Sequence, residues 1–305
     1  MFRHRGQFQS LDTIRALTCG APFSWSNIIS SIRPADLSYA GIYENQDGER
    51  SAVGHITKSP KLSTVQINFL LVPPNSRQED LVFLMEALVK EAGAWGAKQI
   101  MAEISPEAAY FPEFRRAGFV VFSKQRIYRF APPYTFQSGV NVHWQTWTSD
   151  DIPAVRTLHQ TLVPPLIQPI EPLTRLESLG LVCYDEKGEL QAFADLVYGP
   201  VGVWVLPFVH PQSPLEPTGM LQQLVLDLPD LNGRPVYLVS RSYQPWIDGA
   251  LESSPAEQGS EQALLVRYIA LRQRVTAGLT FSQLENGNAE PTYPVTSITG
   301  NKGSG

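Results

Sequence analysis

The sequence predicts an α/β protein built as two similar units in tandem, each a mixed, mostly antiparallel sheet flanked by helices. Three observations predict it. Strand and helix signals alternate along the chain, a pattern in which helices cover a sheet. The alternation runs twice through one order: hairpin, strand, helix, strand, helix, strand. Short segments also match between the two passes at nearly one offset. "DGERSAVGHI" aligns with "KGELQAFADL", setting Gly48 against Gly188, and "QRIYRFA" aligns with "LVRYIAL", setting Tyr128 against Tyr268, both 140 positions apart. Between them "LLVPP" aligns with "PFVHP", with Val72 and Pro74 against Val209 and Pro211, 137 apart. The predicted organisation is an N-terminal unit over 1–135, a second unit over 142–276 and a polar, turn-rich tail over 278–305 read as flexible. The boundary falls in the proline-containing stretch from Ala131 to Trp144. Two unrelated α/β domains are the alternative.

In the first unit "DLSYAGIYE" and "RSAVGHITK" read as strands around the turn "NQDGE", whose Asp-Gly is a hairpin signal. "STVQINFLLV" is a third strand. After it Leu81, Leu84, Met85, Leu88, Ala92 and Trp95 recur at helical period and form one apolar stripe. "AKQIMAEI" is the next strand, "EAAYFPEFRRAG" a short helix interrupted by Pro112, and "FVVFSKQRIYRF" a closing strand. The second unit repeats the plan in "LGLVCYDEKGELQAFADLVYG", "VGVWVLPFV", a helix near "TGMLQQLVLDL", "PVYLVSRS", a further helix and "QALLVRYIAL".

Composition narrows the function classes. The chain has 305 residues, 43% of them hydrophobic, which is ample for two buried cores. Its 24 basic and 29 acidic residues carry a formal charge of −5, unlike the basic footprint of a nucleic-acid binder. No apolar run reaches the length of a membrane span, and the basic N-terminus is not followed by an apolar core, so a cytoplasmic protein is expected. Cys19 and Cys183 are too few for a disulfide framework. The five histidines, His4, His55, His143, His159 and His210, show no metal-ligand spacing. There is no G-x-S-x-G elbow, Walker A loop or dinucleotide fingerprint.

The stretch from Val72 to Ile104, "VPPNSRQEDLVFLMEALVKEAGAWGAKQIMAEI", ends a strand, turns and opens a helix. Val72, Pro74 and Arg77 there, with Gly118-Phe119 before the closing strand, resemble the GNAT superfamily of acetyl-CoA-dependent N-acetyltransferases, here in tandem. The resemblance covers Leu37 to Phe130 well and Val142 to Arg272 more weakly. It implies a fold that grips the pyrophosphate of coenzyme A at a helix N-terminus, with the pantetheine arm between two splayed strands. Acetyl-CoA is then the expected co-substrate, and a small-molecule or peptide amine the expected acceptor. Leu71, Val72, Asn75, Ser76, Arg77 and Gln78 become the expected cofactor-binding residues. Backbone N–H near Leu71 and Val72 would stabilise the oxyanion, Glu103 or a water would take the proton of the amine, and Tyr110 would stand in for a proton donor.

The departures carry equal weight. The family's glycine positions hold Gln78, Asp80 and Val82, and a Cβ keeps a phosphate from the backbone. Glu79 and Asp80 add negative charge in the first turn, and Ser76-x-x-Glu79 also fits a capping box, a cap in place of a phosphate site. Where the family often has a tyrosine four residues before the Gly-Phe, this chain has Phe114, which donates nothing. The second unit has Pro214 in the arginine position and Pro217 at a glycine position, each without an N–H. "SRSYQPWID" offers Arg241, Tyr243 and Trp246 after a strand end, either as a ligand loop or as a cover for the sheet. Two readings from different classes follow: an acyl-CoA-dependent N-acyltransferase with its cofactor in the first unit, or a catalytically inactive protein that binds a ligand or partner.

Overall fold

A computed structural model describes residues 8–20, 36–44, 50–60, 62–73, 76–136, 139–173 and 180–269. The hairpin turn around Asp47-Gly48, the loop residues Pro74 and Asn75, and the C-terminal tail lie outside them. The strands are β1 (Phe8–Ser10), β2 (Leu37–Glu44), β3 (Arg50–Lys58), β4 (Thr64–Leu71), β5 (Gln99–Ile104), β6 (Val120–Phe130), β7 (Trp144–Thr146), β8 (Gly180–Tyr184), β9 (Leu190–Tyr198), β10 (Val203–Val209), β11 (Val236–Arg241), β12 (Glu257–Gln258) and β13 (Gln262–Tyr268). The helices are α1 (Thr13–Cys19), α2 (Gln78–Ala94), α3 (Phe111–Arg116), α4 (Ile152–Leu162), α5 (Pro217–Asp227) and α6 (Pro245–Glu252).

Each half follows the predicted plan. In the first, β2–β3–β4 is an antiparallel run, and β4 pairs in parallel with β5 after the α2 crossover. In the second, β8–β9–β10 is antiparallel and β10 pairs in parallel with β11 after α5. The apolar stripe of α2 packs flat on the first sheet because Gly41 and Gly54 leave room for it. A Cβ on Gly54 would sit 2.8 Å from Leu88 Cδ1, so a larger residue would force the leucines packed there to shift. Pro112 does not interrupt a helix, as the sequence suggested. It occupies the first turn of α3, where its missing N–H is not needed.

The sequence does not foretell how the halves join. Each half's closing strand pairs with the other half. β13 lies antiparallel to β5 of the first half, while β6 lies antiparallel to β11 of the second. β6 and β13 also pair with each other, so one sheet runs through both halves in the order β2-β3-β4-β5-β13-β6-β11-β10-β9-β8-β7. The cores are exchanged accordingly. Leu265 of β13 completes the core under α2, and Tyr128 and Phe130 of β6 complete the core under α5. Burial of such side chains is worth about 1.5–3 kcal/mol each.

This exchange makes a prediction about fragments. A polypeptide of residues 1–135 lacks the strand that covers β5, and one of 136–305 lacks the strand that covers β11. Neither alone should give cooperative urea unfolding by circular dichroism. Mixed, they should elute as a 1:1 complex from a sizing column; independent, cooperative folding of both would refute the exchange.

Candidate functional site

Two parallel strands joined by a crossover helix diverge beyond their last shared hydrogen bond, and the gap exposes backbone donors and acceptors. In the first half β4 and β5 pair only over Thr64–Gln66 and Gln99–Met101. Beyond that the gap is filled by the chain itself. β1 lies antiparallel to the end of β4, with Phe8 opposite Leu71, Gln9 opposite Leu70 and Ser10 opposite Phe69. The fully buried Leu11 continues the insertion, its N–H donating to the Asn68 carbonyl at 2.9 Å and its carbonyl accepting from the Glu103 N–H at 3.1 Å. The Gln66 amide donates to that same carbonyl at 2.7 Å. The slot implied for a pantetheine arm thus holds a strand of polypeptide.

The second half fills its gap differently. β10 and β11 pair over Val203–Val205 and Val236–Leu238. Past that point the side chain of Gln244, wholly buried, bridges the free edge of β10. Its amide donates to the Pro207 carbonyl at 3.1 Å and its oxygen accepts from the Val209 N–H at 3.2 Å. The Trp246 indole donates to the Val209 carbonyl at 3.2 Å. A carboxamide carries one donor face and one acceptor, so it satisfies the strand edge as another strand would.

The helix N-termini that follow are also supplied from within. α2 starts at Gln78 with Arg77 as N-cap, one residue later than the Ser76-x-x-Glu79 spacing suggests. Ser76 is tied into the preceding turn by its N–H to the Pro73 carbonyl at 3.1 Å, so Asp80 reaches back instead and accepts the Arg77 N–H at 3.1 Å. Arg77 itself is exposed, and Gln78 accepts from Arg116 at 3.1 Å. At α5 both carboxylate oxygens of Glu216 take helix donors, Thr218 N–H at 2.8 Å and Gly219 N–H at 2.5 Å. Partial burial opposes the charge of Glu216, but these N–H groups outweigh it and hold its carboxyl below the usual range. A carboxylate thus occupies the anion position that a helix N-terminus creates.

Of the expected catalytic residues, Glu103 lies near the end of β5 and Tyr110 just ahead of α3. Glu103 is buried; its Oε2 accepts from Thr13 N–H at 3.2 Å and from Gln125 Nε2 at 3.1 Å. Burial, with Asp12 adding negative charge, raises its pKa despite Arg241 and Thr13. Tyr110 sits in the turn ahead of α3 and packs against the first core, and Phe114 is fully buried beside Phe119. Leu71 ends β4, opposite both Phe8 and Val53, and the buried Val72 follows it. Among the described residues no group of His, Cys, Asp and Glu is arranged to hold a metal, and no described helix is long and apolar enough to cross a membrane.

The loop after β11 faces inward. Arg241, 6% exposed, pairs with Glu171 at 3.0 Å and donates to Gln125, while Tyr243 donates to Glu171 at 2.8 Å. Gln125 also donates to Gln262 at 2.7 Å. Glu103, Gln125, Gln262, Arg241 and Glu171 therefore form a polar seam across the exchanged strands. Nothing in the spacing of these residues signals the seam, because its members come from both halves.

Two outcomes follow. Arg241→Leu leaves the mostly enclosed Glu171 without its cation and should cost about 3 kcal/mol in urea unfolding. The raised pKa of Glu103 means that the folded state prefers the protonated acid. Its contribution is favourable below the unfolded pKa of about 4.3 and is lost as pH rises through the folded value. Glu103→Gln should therefore raise the urea midpoint at pH 8 relative to wild type and have little effect at pH 4; the reverse order would refute it.

No family model matches the sequence, and no curated protein matches it. Solved structures do. A tandem GNAT protein from the clavulanic acid biosynthesis pathway is similar with a TM-score of 0.50 at 14% identity, over 85% of this chain and 93% of that one. A functionally unknown conserved protein from Staphylococcus epidermidis ATCC 12228 is similar with a TM-score of 0.50 at 14% identity, over 71% of this chain and 91% of that one. At such identity the likeness is one of fold: the chain carries a tandem GNAT fold, two α/β halves that share one mixed sheet flanked by helices.

Proposed function

We propose that this chain is a GNAT-fold protein that binds a ligand or partner and does not transfer acyl groups from coenzyme A. The observation that carries the reading is the backbone of Phe8–Leu11 hydrogen-bonded into the gap between β4 and β5. A pantetheine arm offers amide groups to the same strand edges, so it competes with four residues already in place. Three further features support the reading. Gln244 fills the second gap. Asp80 and Glu216 oppose a pyrophosphate at the two helix starts. Glu103 is enclosed by Thr13 and Gln125, out of reach of an acceptor amine.

The alternative, acyl transfer in the first half with Arg77 on the pyrophosphate, is favoured by one feature. Its gap is filled by a segment near the N-terminus, which can be removed, whereas Gln244 belongs to the core. Titration calorimetry separates the readings. The full chain should give no heat with millimolar acetyl-CoA and no acetylation of a panel of small amines. Deleting residues 1–11 should leave both results unchanged. Binding of acetyl-CoA by the full chain, abolished by Arg77→Ala, would overturn the proposal; binding only after deletion would select the alternative.

A further inference from the structure

From the filled gap of the first half to the outer strand β2 runs a chain of four polar side chains that no feature of an acyl-CoA site explains. Ser38 Oγ lies 2.9 Å from His55 Nε2. His55 Nδ1 lies 3.1 Å from Asn68 Oδ1, and Asn68 Nδ2 donates to Asp12 Oδ2 at 3.1 Å. Ser38 is exposed on the outer strand β2, whereas His55 and Asn68 are 6% and 4% exposed. From the exposed hydroxyl the chain passes through the buried imidazole and amide and ends on the partly exposed Asp12 carboxylate.

The partners determine the protons. A carboxylate only accepts, so Asp12 turns the Asn68 amide with its NH2 toward itself and its oxygen toward His55. That oxygen also only accepts, so His55 Nδ1 must carry the hydrogen. The lone pair is then on Nε2, and the Ser38 hydroxyl donates to it. Burial and the nearby Arg15 lower the His55 pKa, so the ring is the free base at neutral pH. Asp12 is held in turn by the Arg15 N–H at 3.0 Å, where it caps α1. The His55 ring stacks on Phe69 at 5.3 Å between centroids.

A β-bulge makes the arrangement possible. His55 pairs with Phe69 and Ile56 with Ile67, so Asn68 is an extra residue on β4. Without it the alternation of a strand would turn Asn68 away from the face that holds Phe69. Ser38, opposite Thr57, shares a face with His55 by the same alternation. β2 ends the sheet among the described residues. In an antiparallel ladder successive residues turn their N–H groups to opposite sides, so Ser38 or Tyr39 presents one at the outer edge, beside the hydroxyl. Ala40 and Ile42 on the Ser38 face are exposed, Ile42 at 52%, and give an apolar surface for a small acyl or aryl group.

We infer that Ser38, His55 and Asn68 form a nucleophile, base and positioning residue able to cleave small apolar esters. Ser38 Oγ attacks the ester carbonyl carbon while its proton passes to His55 Nε2. The carbon–alkoxide bond breaks, the imidazolium returns that proton to the departing alcohol, and an acyl group stays on Ser38. Water then attacks the acyl carbonyl, giving one proton to Nε2, and the Ser38 oxygen leaves and recovers it. The sum is ester and water to acid and alcohol, with no co-reactant. Of the two reacting side chains Asn68 touches only His55, and it acts by holding the tautomer of that ring.

A fluorophosphonate probe on the full chain, followed by peptide mass mapping, tests the assignment. One adduct per chain at Ser38 is expected, with p-nitrophenyl acetate hydrolysis lost in parallel. Ser38→Ala, at an exposed position, should keep the melting curve and lose both signals. His55→Gln should slow labelling by at least about 100-fold. Should that variant fail to fold, the urea-unfolded wild-type chain gives the rate of the same serine without its base, and it should be slower by a similar factor. No adduct at Ser38, or equal labelling rates with and without the histidine, would overturn the proposal. Acetyl-CoA enters none of these measurements, so the result stands apart from the reading of the clefts.

Discussion

The pairing of β6 and β13 at the centre of the sheet is the constraint on which the rest of the molecule depends. Each strand completes the half that did not supply its flanking helix, so neither core closes without the other. The exchange also explains the polar seam. Strands meeting at the middle of a sheet bring side chains from two halves onto one face. Here Glu103, Gln125, Gln262 and Arg241 meet there with Glu171. Buried polar groups are costly unless partners satisfy them, and the seam supplies most of those partners. An ion pair such as Arg241–Glu171 adds little net stability against an apolar pair, yet is costly to break.

The filled clefts follow from a related need. Parallel strands that diverge leave backbone N–H and carbonyl groups without partners, and buried backbone groups are almost always paired. An enzyme can leave that task to a ligand. Here Phe8–Leu11 performs it in one half and the Gln244 amide in the other. The helix starts repeat the logic, since orphan N–H groups and the helix dipole favour a negative group, and Asp80 and Glu216 provide one. Different residues in the two halves meet the same requirement.

The N-terminal segment also shapes the surface beyond its own slot. Asp12, directly after the inserted Leu11, anchors Asn68 and caps α1, so the orientation of His55 depends on the insertion. Thr13, the next residue, donates its N–H to Glu103. A short piece of chain thus fills one gap and orders the polar side chains beside it.

The elements themselves were legible in the sequence because they depend on local pattern. The stripe from Leu81 to Trp95 could only be an amphipathic helix, and Val, Ile and Leu runs bounded by turns gave β4, β5 and β10 within a residue or two. The repeat was legible for the same reason, since each unit restates one pattern. Gln78, Asp80 and Val82 in place of glycines, and Pro214 and Pro217 in the second unit, already marked the phosphate loops as altered. Only the tertiary structure decided the partners. Phe8–Ser10 is too short and too polar to read as a strand, and it becomes one because β4 offers it an unpaired edge. Gln244 reads as a loop residue until the gap beside Val209 encloses it. His55 and Asn68 are separated by thirteen positions and a bulge that no periodicity announces, and they meet only when β3 and β4 pair. Sequence pattern governs what each segment becomes, because propensity and amphipathicity act within a few residues. Which segments close each cleft and core is governed by unsatisfied edges, which exist only once the sheet has formed.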